Sequence, residues 1–295
     1  MTDLAANTGA HPSVGHPTSP RRNRGPGSWI VFAALFALLV IFVSPFFLAA
    51  GNAIKTPADY AAHGSISLPQ SFSLDALVAF WRNVDFTRKL INSVVLSGCV
   101  AVFGTLLSML NAYAIGIGRI KGGGVLLVLL LIGLMIPQEA LVYPLYIMAK
   151  TTHTFDTLLS CIIVFSVLQS TFGTYLLSSV LSAFPAEIIE AAKVDGANSW
   201  QVLWFIVVPV LRPTLAVLGT FFFIWTWNEF LLPLVLLISN DNQTVSVAMG
   251  VLNGQFVSSP TSTAAAALLG MAPTVIFFLI FQRTLTRGVT VGAIK

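Results

Sequence analysis

Two polar constellations interrupt an otherwise apolar chain, and each could do chemistry. The first is a loop at 183–212 that gathers Glu187, Glu190, Lys193 and Asp195 between two long apolar runs. A chain that concentrates charge there presents that loop to water, or to another protein. The second lies inside apolar runs: Glu139 beside Gln138, just after Pro137, and Glu229 beside Asn228, four residues before Pro233. A carboxylate within a membrane is expensive and faces a polar interior or finds a partner. The alternative is that these groups bond to one another.

The elements that position them are membrane spans. Hydrophobic residues make up 56% of the 295, charged residues only 9%. A soluble domain carries about 25% charged residues, so this chain cannot cover a water-soluble surface. A span takes about 20 apolar residues, which predicts six: Trp29–Ala50, Leu90–Ile117, Val125–Met148, Thr157–Leu181, Pro213–Leu237 and Ala264–Phe281. The first run is too long for the 7–15-residue core of a signal peptide, so it is read as a retained span. With the N-terminus inside, ten of the 15 Lys and Arg residues fall in inner segments and five in outer ones. That bias places both termini in the cytoplasm and makes 183–212 a cytoplasmic loop.

The connections differ in character. Residues 1–28, rich in Gly, Pro, Ser and Asn, read as a disordered tail. Leu74, Leu77, Val78, Trp81 and Val84 recur at helical spacing, which predicts an amphipathic helix before the second span, either on the outer membrane surface or as a packed helix end. Residues 239–262 read as an outer loop, and 285–295 as a cytoplasmic tail of small, mostly uncharged residues.

Within 183–212, Pro185 suits a first helical position and Glu187 and Glu190 favour the positive end of a helix. Ala191 and Ala192 are strong helix formers. Gly196 suits a left-handed stop. Asn198 precedes Gln201 by three, the spacing of a capping box for a second helix. Pro209 and Pro213 would bend or break that helix. The predicted object is helix, tight turn, helix: a rigid part that can transmit a push. The alternative is a well-capped surface helix without a partner.

Several chemistries have no support. Gly122-Gly123-Gly124 lacks the Lys-Ser/Thr of a phosphate-binding loop. Cys99 and Cys161 sit in apolar runs, and His11, His16, His63 and His153 are scattered and read as exposed and unliganded. No catalytic or metal-binding constellation is predicted, and the +4 charge points to no nucleic acid.

Glu190-Ala191-Ala192, Gly196 three residues beyond Lys193, Ile206 and Pro209 resemble the EAA loop of bacterial ABC importer permeases, with Val208 where the family has Leu. Phe184-Pro185, Trp227-Asn228-Glu229-Phe230 and the ending Arg287-Gly288-Val289-Thr290-Val291-Gly292-Ala293-Ile294-Lys295 resemble the maltose-type permeases in particular. The resemblance covers roughly residues 70–295. It implies an all-α fold with six transmembrane helices in the bacterial inner membrane. It implies a second homologous permease, two copies of a cytoplasmic ATPase bound through the EAA helices, and an extracytoplasmic sugar-binding protein. ATP and Mg would be used by the ATPase, with no cofactor on this chain. ATPase coupling would then rest on Glu187, Glu190, Ala191, Ala192, Asp195, Gly196, Ile206 and Pro209. A sugar pathway wants hydroxyl acceptors and aromatic faces, which assigns it Gln138, Glu139, Tyr143, Trp227, Asn228 and Glu229. A secondary transporter driven by an ion gradient is the rival, supported by the same intramembrane carboxylates and prolines.

Overall fold

The computed structural model describes residues 26–118, 120–255 and 259–291, with side chains at 27–118, 120–251 and 259–282. Every regular element among the described residues is helical. Helix α1 (Pro26–Ala53) takes in residues 26–28 as its first turn, and the rest of the sequence-predicted tail lies outside the described residues. Its stretch up to Pro45 is a unit of its own, apolar and exposed along its length.

From Phe46 onward the chain forms one bundle. Short helices α2 (Pro57–His63) and α3 (Asp75–Asn83) precede α4 (Phe86–Gly116). Helix α5 (Gly123–Leu134) and α6 (Gln138–Thr151) follow, bent at 99° to one another. Next come α7 (Leu158–Ser182), α8 (Ala186–Val194) and a short α9 (Ser199–Gln201). A π-helical turn, Val202–Val207, leads into α10 (Val208–Asn228). The chain breaks at Glu229, resumes as α11 (Leu231–Leu236), and ends with α12 (Val245–Gln255) and α13 (Pro260–Val291).

Five described helices are long and apolar enough to cross a membrane, six if the bent α5–α6 pair is one span. Three readings of the sequence change. The segment 239–262 is not all loop, because Val245, Val247 and Ala248 bury themselves and carry α12. Residues 285–291 continue α13 and are no separate tail, while 292–295 lie outside the described residues. Pro209 and Pro213 do not break the helix. A proline ring clashes with the carbonyl four residues back. The widened π turn, in which Val208 N–H reaches Leu203 O, ends just before Pro209 and relaxes that geometry.

Helix α4 packs most extensively on α7, then on α10. Small residues allow it, as in membrane bundles generally. Ser108 Oγ donates to Gly104 O at 2.6 Å and Ser170 O at 3.3 Å, and Thr174 Oγ1 donates to Ser170 O at 2.7 Å. Around this seam Met109, Leu177, Leu211, Leu218 and Phe222 form the main core.

The bundle end bearing residues 239–243 is tied by polar bonds. Buried Lys89 donates from Nζ to Asn240 O and Asn240 Oδ1, and Asn92 Nδ2 donates to Asp241 O at 2.8 Å and Gln243 O at 3.0 Å. Ser239 N–H donates to Asp156 Oδ1 at 3.0 Å, and Asn242 Nδ2 to Asp156 O at 2.6 Å. Near α2, the N–H groups of Gln70 and Ser71 donate to Asp59 Oδ2. His63 is exposed, as the sequence suggested, and its Nδ1 lies 2.9 Å from Asp59 Oδ1. Burial alone would raise both aspartates, but the donors from Ser71, Gln70 and His63 outweigh it at Asp59, and those from Ser239 and Asn242 do so at Asp156. Both carboxyls therefore lie below their ordinary value. A depressed folded value stabilises fully above the unfolded value of about 3.9 and is lost as pH falls through the folded one. Acidification below pH 4 is expected to lower the protection of the Gln70, Ser71 and Ser239 amides, relative to the intrinsic exchange rate at each pH, before the α4–α7 seam opens. Hydrogen exchange at pH 6 and pH 3 checks this order, and unchanged protection at these three amides would refute it.

Candidate functional site

The loop at 183–212 folds as helix, turn and helix. Pro185 is the N-cap of α8 and not its first helical residue, with φ −59° and ψ 122°. The helix closes on Gly196 at φ +83°, a left-handed conformation that glycine adopts without strain. Ala197 N–H donates to Ala192 O at 2.9 Å and Gly196 N–H to Lys193 O at 3.1 Å, the paired bonds of a Schellman stop. Two residues later Asn198 Oδ1 accepts from Gln201 N–H at 3.0 Å, and Gln201 Oε1 accepts from Asn198 N–H at 2.8 Å. The capping box is complete.

Helix α8 has two faces. Ile189 and Ala192 are buried and join the core formed by α4, α7 and α10. Glu187, Glu190, Ala191, Val194, Asp195 and Gly196 are exposed. Val194 is 88% exposed, an apolar side chain that nothing described covers. The paired alanines therefore divide their work: Ala192 joins the bundle and Ala191 faces outward. Tyr113 Oη donates to Ser199 O at 2.9 Å and fastens α9 to the end of α4. Ile206 is partly buried against the same core, and Pro209 is exposed. A cavity of about 270 Å³ opens beside the turn, lined by Asp195, Gly196, Ala197, Gln201, Phe205 and Ile206. Rigid on one side and free on the other, the loop can pass a force from a docked partner into the bundle.

The second site lies between the two broken helices. A cavity of about 500 Å³ is walled by the α5–α6 corner, by Gln169, Thr171 and Phe172 of α7, and by Trp225 and Glu229. Of the pathway residues expected from sequence, it collects Gln138, Glu139 and Glu229. Tyr143 is 72% exposed and does not line it. Trp227 is buried, with its ring stacked on Phe223 at 5.8 Å, because the two-residue step from Trp225, about 200° around the helix, carries it away from the cavity and into the core. Asn228 turns back to donate from Nδ2 to Ile224 O at 2.8 Å, serving the end of its own helix. Sequence reasoning missed Gln169 and Phe172. Gln169 is a long amide in an apolar run, which was the available signal. Its Nε2 donates to Thr226 Oγ1 at 2.9 Å, and its buried Oε1 has no partner among the described residues. Phe172 meets Trp225 edge to face at 5.2 Å and builds the aromatic wall. Glu229 sits at the break between α10 and α11 and lines the cavity together with Glu139.

A bundle of apolar helices with a polar cavity at two helix breaks and a rigid loop at one end is the architecture of a membrane permease. Residues 104–291 match the family described as "Binding-protein-dependent transport system inner membrane component", and the chain belongs to it. It is thus a multi-pass component of a bacterial inner membrane and a permease subunit of an ABC importer. It is 29% identical over 275 residues to the arabinooligosaccharides transport system permease protein AraQ of Halalkalibacterium halodurans, covering 91% of this chain and 94% of that one. It is 31% identical over 230 residues to the trehalose transport system permease protein SugB of Mycobacterium tuberculosis, covering 77% and 84%. Among solved structures, a bacterial ABC transporter that imports the acidic polysaccharide alginate has a chain of the same fold. Its TM-score is 0.73 at 22% identity, over 91% of this chain and 99% of that one.

Proposed function

We propose that the chain is one permease subunit of an ATP-driven importer for a sugar or sugar derivative, forming half of the translocation pathway. The loop at 183–212 docks a cytoplasmic ATPase, which places both termini in the cytoplasm and the end bearing residues 239–243 outside. The observation that carries this reading is the two-faced α8. Its buried face is continuous with the core, and its outer face offers Glu190, Ala191 and Val194. The sugar cargoes in the names of AraQ and SugB support the substrate class. A second homologous permease and two ATPase copies complete the assembly. An extracytoplasmic sugar-binding protein delivers the cargo, as the solved alginate transporter bound to a loaded periplasmic protein supports. ATP and Mg are used by the ATPase, and this chain itself holds no cofactor and hydrolyses nothing.

Reconstitution tests it. Proteoliposomes holding the permease pair, the ATPase and the loaded binding protein are expected to take up labelled sugar, with vanadate blocking uptake. Omitting the ATPase is expected to abolish uptake. Uptake by the permeases alone, collapsed by an uncoupler and indifferent to vanadate, would instead establish ion-coupled transport.

A further inference from the structure

We infer that the cavity between the broken helices is a charge filter, which admits uncharged or cationic carbohydrates and rejects phosphorylated or uronic ones. This rests on the sugar reading above and narrows it to a charge class.

The lining carries two ionisable groups, Glu139 and Glu229, and both are acids. No Lys, Arg or His lines the cavity among the described residues. Its other polar groups are the neutral amides of Gln138 and Gln169 and the Thr171 hydroxyl, and Trp225 supplies an aromatic wall. Glu139 lies in the first turn of α6, where negative charge is favoured, and Glu229 stands at the break that ends α10. Clefts with walls of low dielectric and one sign of charge focus the field on whatever enters.

The chemistry of a sugar sorts itself on such a lining. Hydroxyl groups donate to the two carboxylates. A ring face can rest on Trp225. An amino sugar gains attraction as well. A phosphate or carboxylate group on the sugar adds only acceptors, and its charge is repelled by Glu139 and Glu229.

The test uses small probes of opposite charge, so it does not depend on what the binding protein delivers. A single thiol is placed in the cavity as T171C, on a C99S/C161S background, in the assembled importer in membrane vesicles. Its reaction rate is measured with a trimethylammonium-ethyl and with a sulfonato-ethyl methanethiosulfonate. Each rate is divided by that of the same reagent with free cysteine. The cationic reagent is expected to be favoured about tenfold or more. The bias is expected to fall toward one in an E139Q/E229Q variant. A Leu141→Cys thiol reads the same cavity should T171C not assemble.

A normalised ratio near or below one in the parent overturns the filter, because the partner permease then supplies compensating cations. A bias that survives E139Q/E229Q also overturns it, since the field then comes from elsewhere. No reaction with either reagent overturns it too, since the cavity is then dry. Failure of the sugar reading shows separately, as absent sugar uptake in the reconstituted complex while the thiol rates keep their bias.

Discussion

A Gly196→Val variant is expected to insert, pair and bind the ATPase, yet lose most of its sugar uptake. Gly196 holds φ +83° between the end of α8 and the capping box that opens α9. A Cβ there would meet no atom within 4 Å, so crowding is not the difficulty. The difficulty is the backbone. Left-handed conformation costs a residue with a Cβ roughly 1–2 kcal/mol, and more for a β-branched one. The chain escapes by leaving that conformation, which breaks the Ala197 to Ala192 bond and turns α8 away from the bundle. Force on α8 then no longer reaches α10. Asparagine visits the left-handed region more readily, so Gly196→Asn is expected to keep a larger share of uptake than Gly196→Val. The comparison uses uptake and ATPase co-purification side by side. Full uptake in Gly196→Val with the ATPase bound would show that the turn plays no part in coupling.

Gly173→Val is expected to fail earlier, at folding. A Cβ on Gly173 would fall on the Ser108 side chain and lie 3.0 Å from Leu218 Cδ2, at the α4–α7 crossing. Those atoms cannot retreat: Ser108 is fully buried and bonded to Gly104 O and Ser170 O, and Leu218 is fully buried in the core. Overpacking of this kind costs typically 1–3 kcal/mol, here at the most extensive helix contact of the bundle. Thermal unfolding of detergent-solubilised protein is expected to shift down, with less folded protein recovered from membranes. Gly173→Ala is expected to show the same defect in milder form, and Ser108→Gly beside Gly173→Ala is expected to restore much of it. A Gly173→Val protein of unchanged melting temperature would mean that the two helices do not meet this way.

The sequence by itself determined more of the loop than of the cavity. Local rules govern a turn. Gly196, Asn198 and Gln201 act on amides within a few residues of themselves, so the Schellman stop and the capping box could be read from spacing alone. Apolar helices long enough to cross a membrane were legible for a similar reason, since each grows from a contiguous apolar run. Which face of a helix looks where depends on its neighbours. Trp225 lines the cavity and Trp227, two residues on, lies in the core, although both are tryptophans in one apolar run. Ala191 and Ala192 are likewise adjacent and part company by one step of 100° around α8. The π turn before Pro209, the 99° corner between α5 and α6, and the choice of Gln169 as a cavity wall were decided by the tertiary structure. In each, the deciding contacts come from residues far along the chain, and no local pattern encodes which of several apolar faces packing will cover.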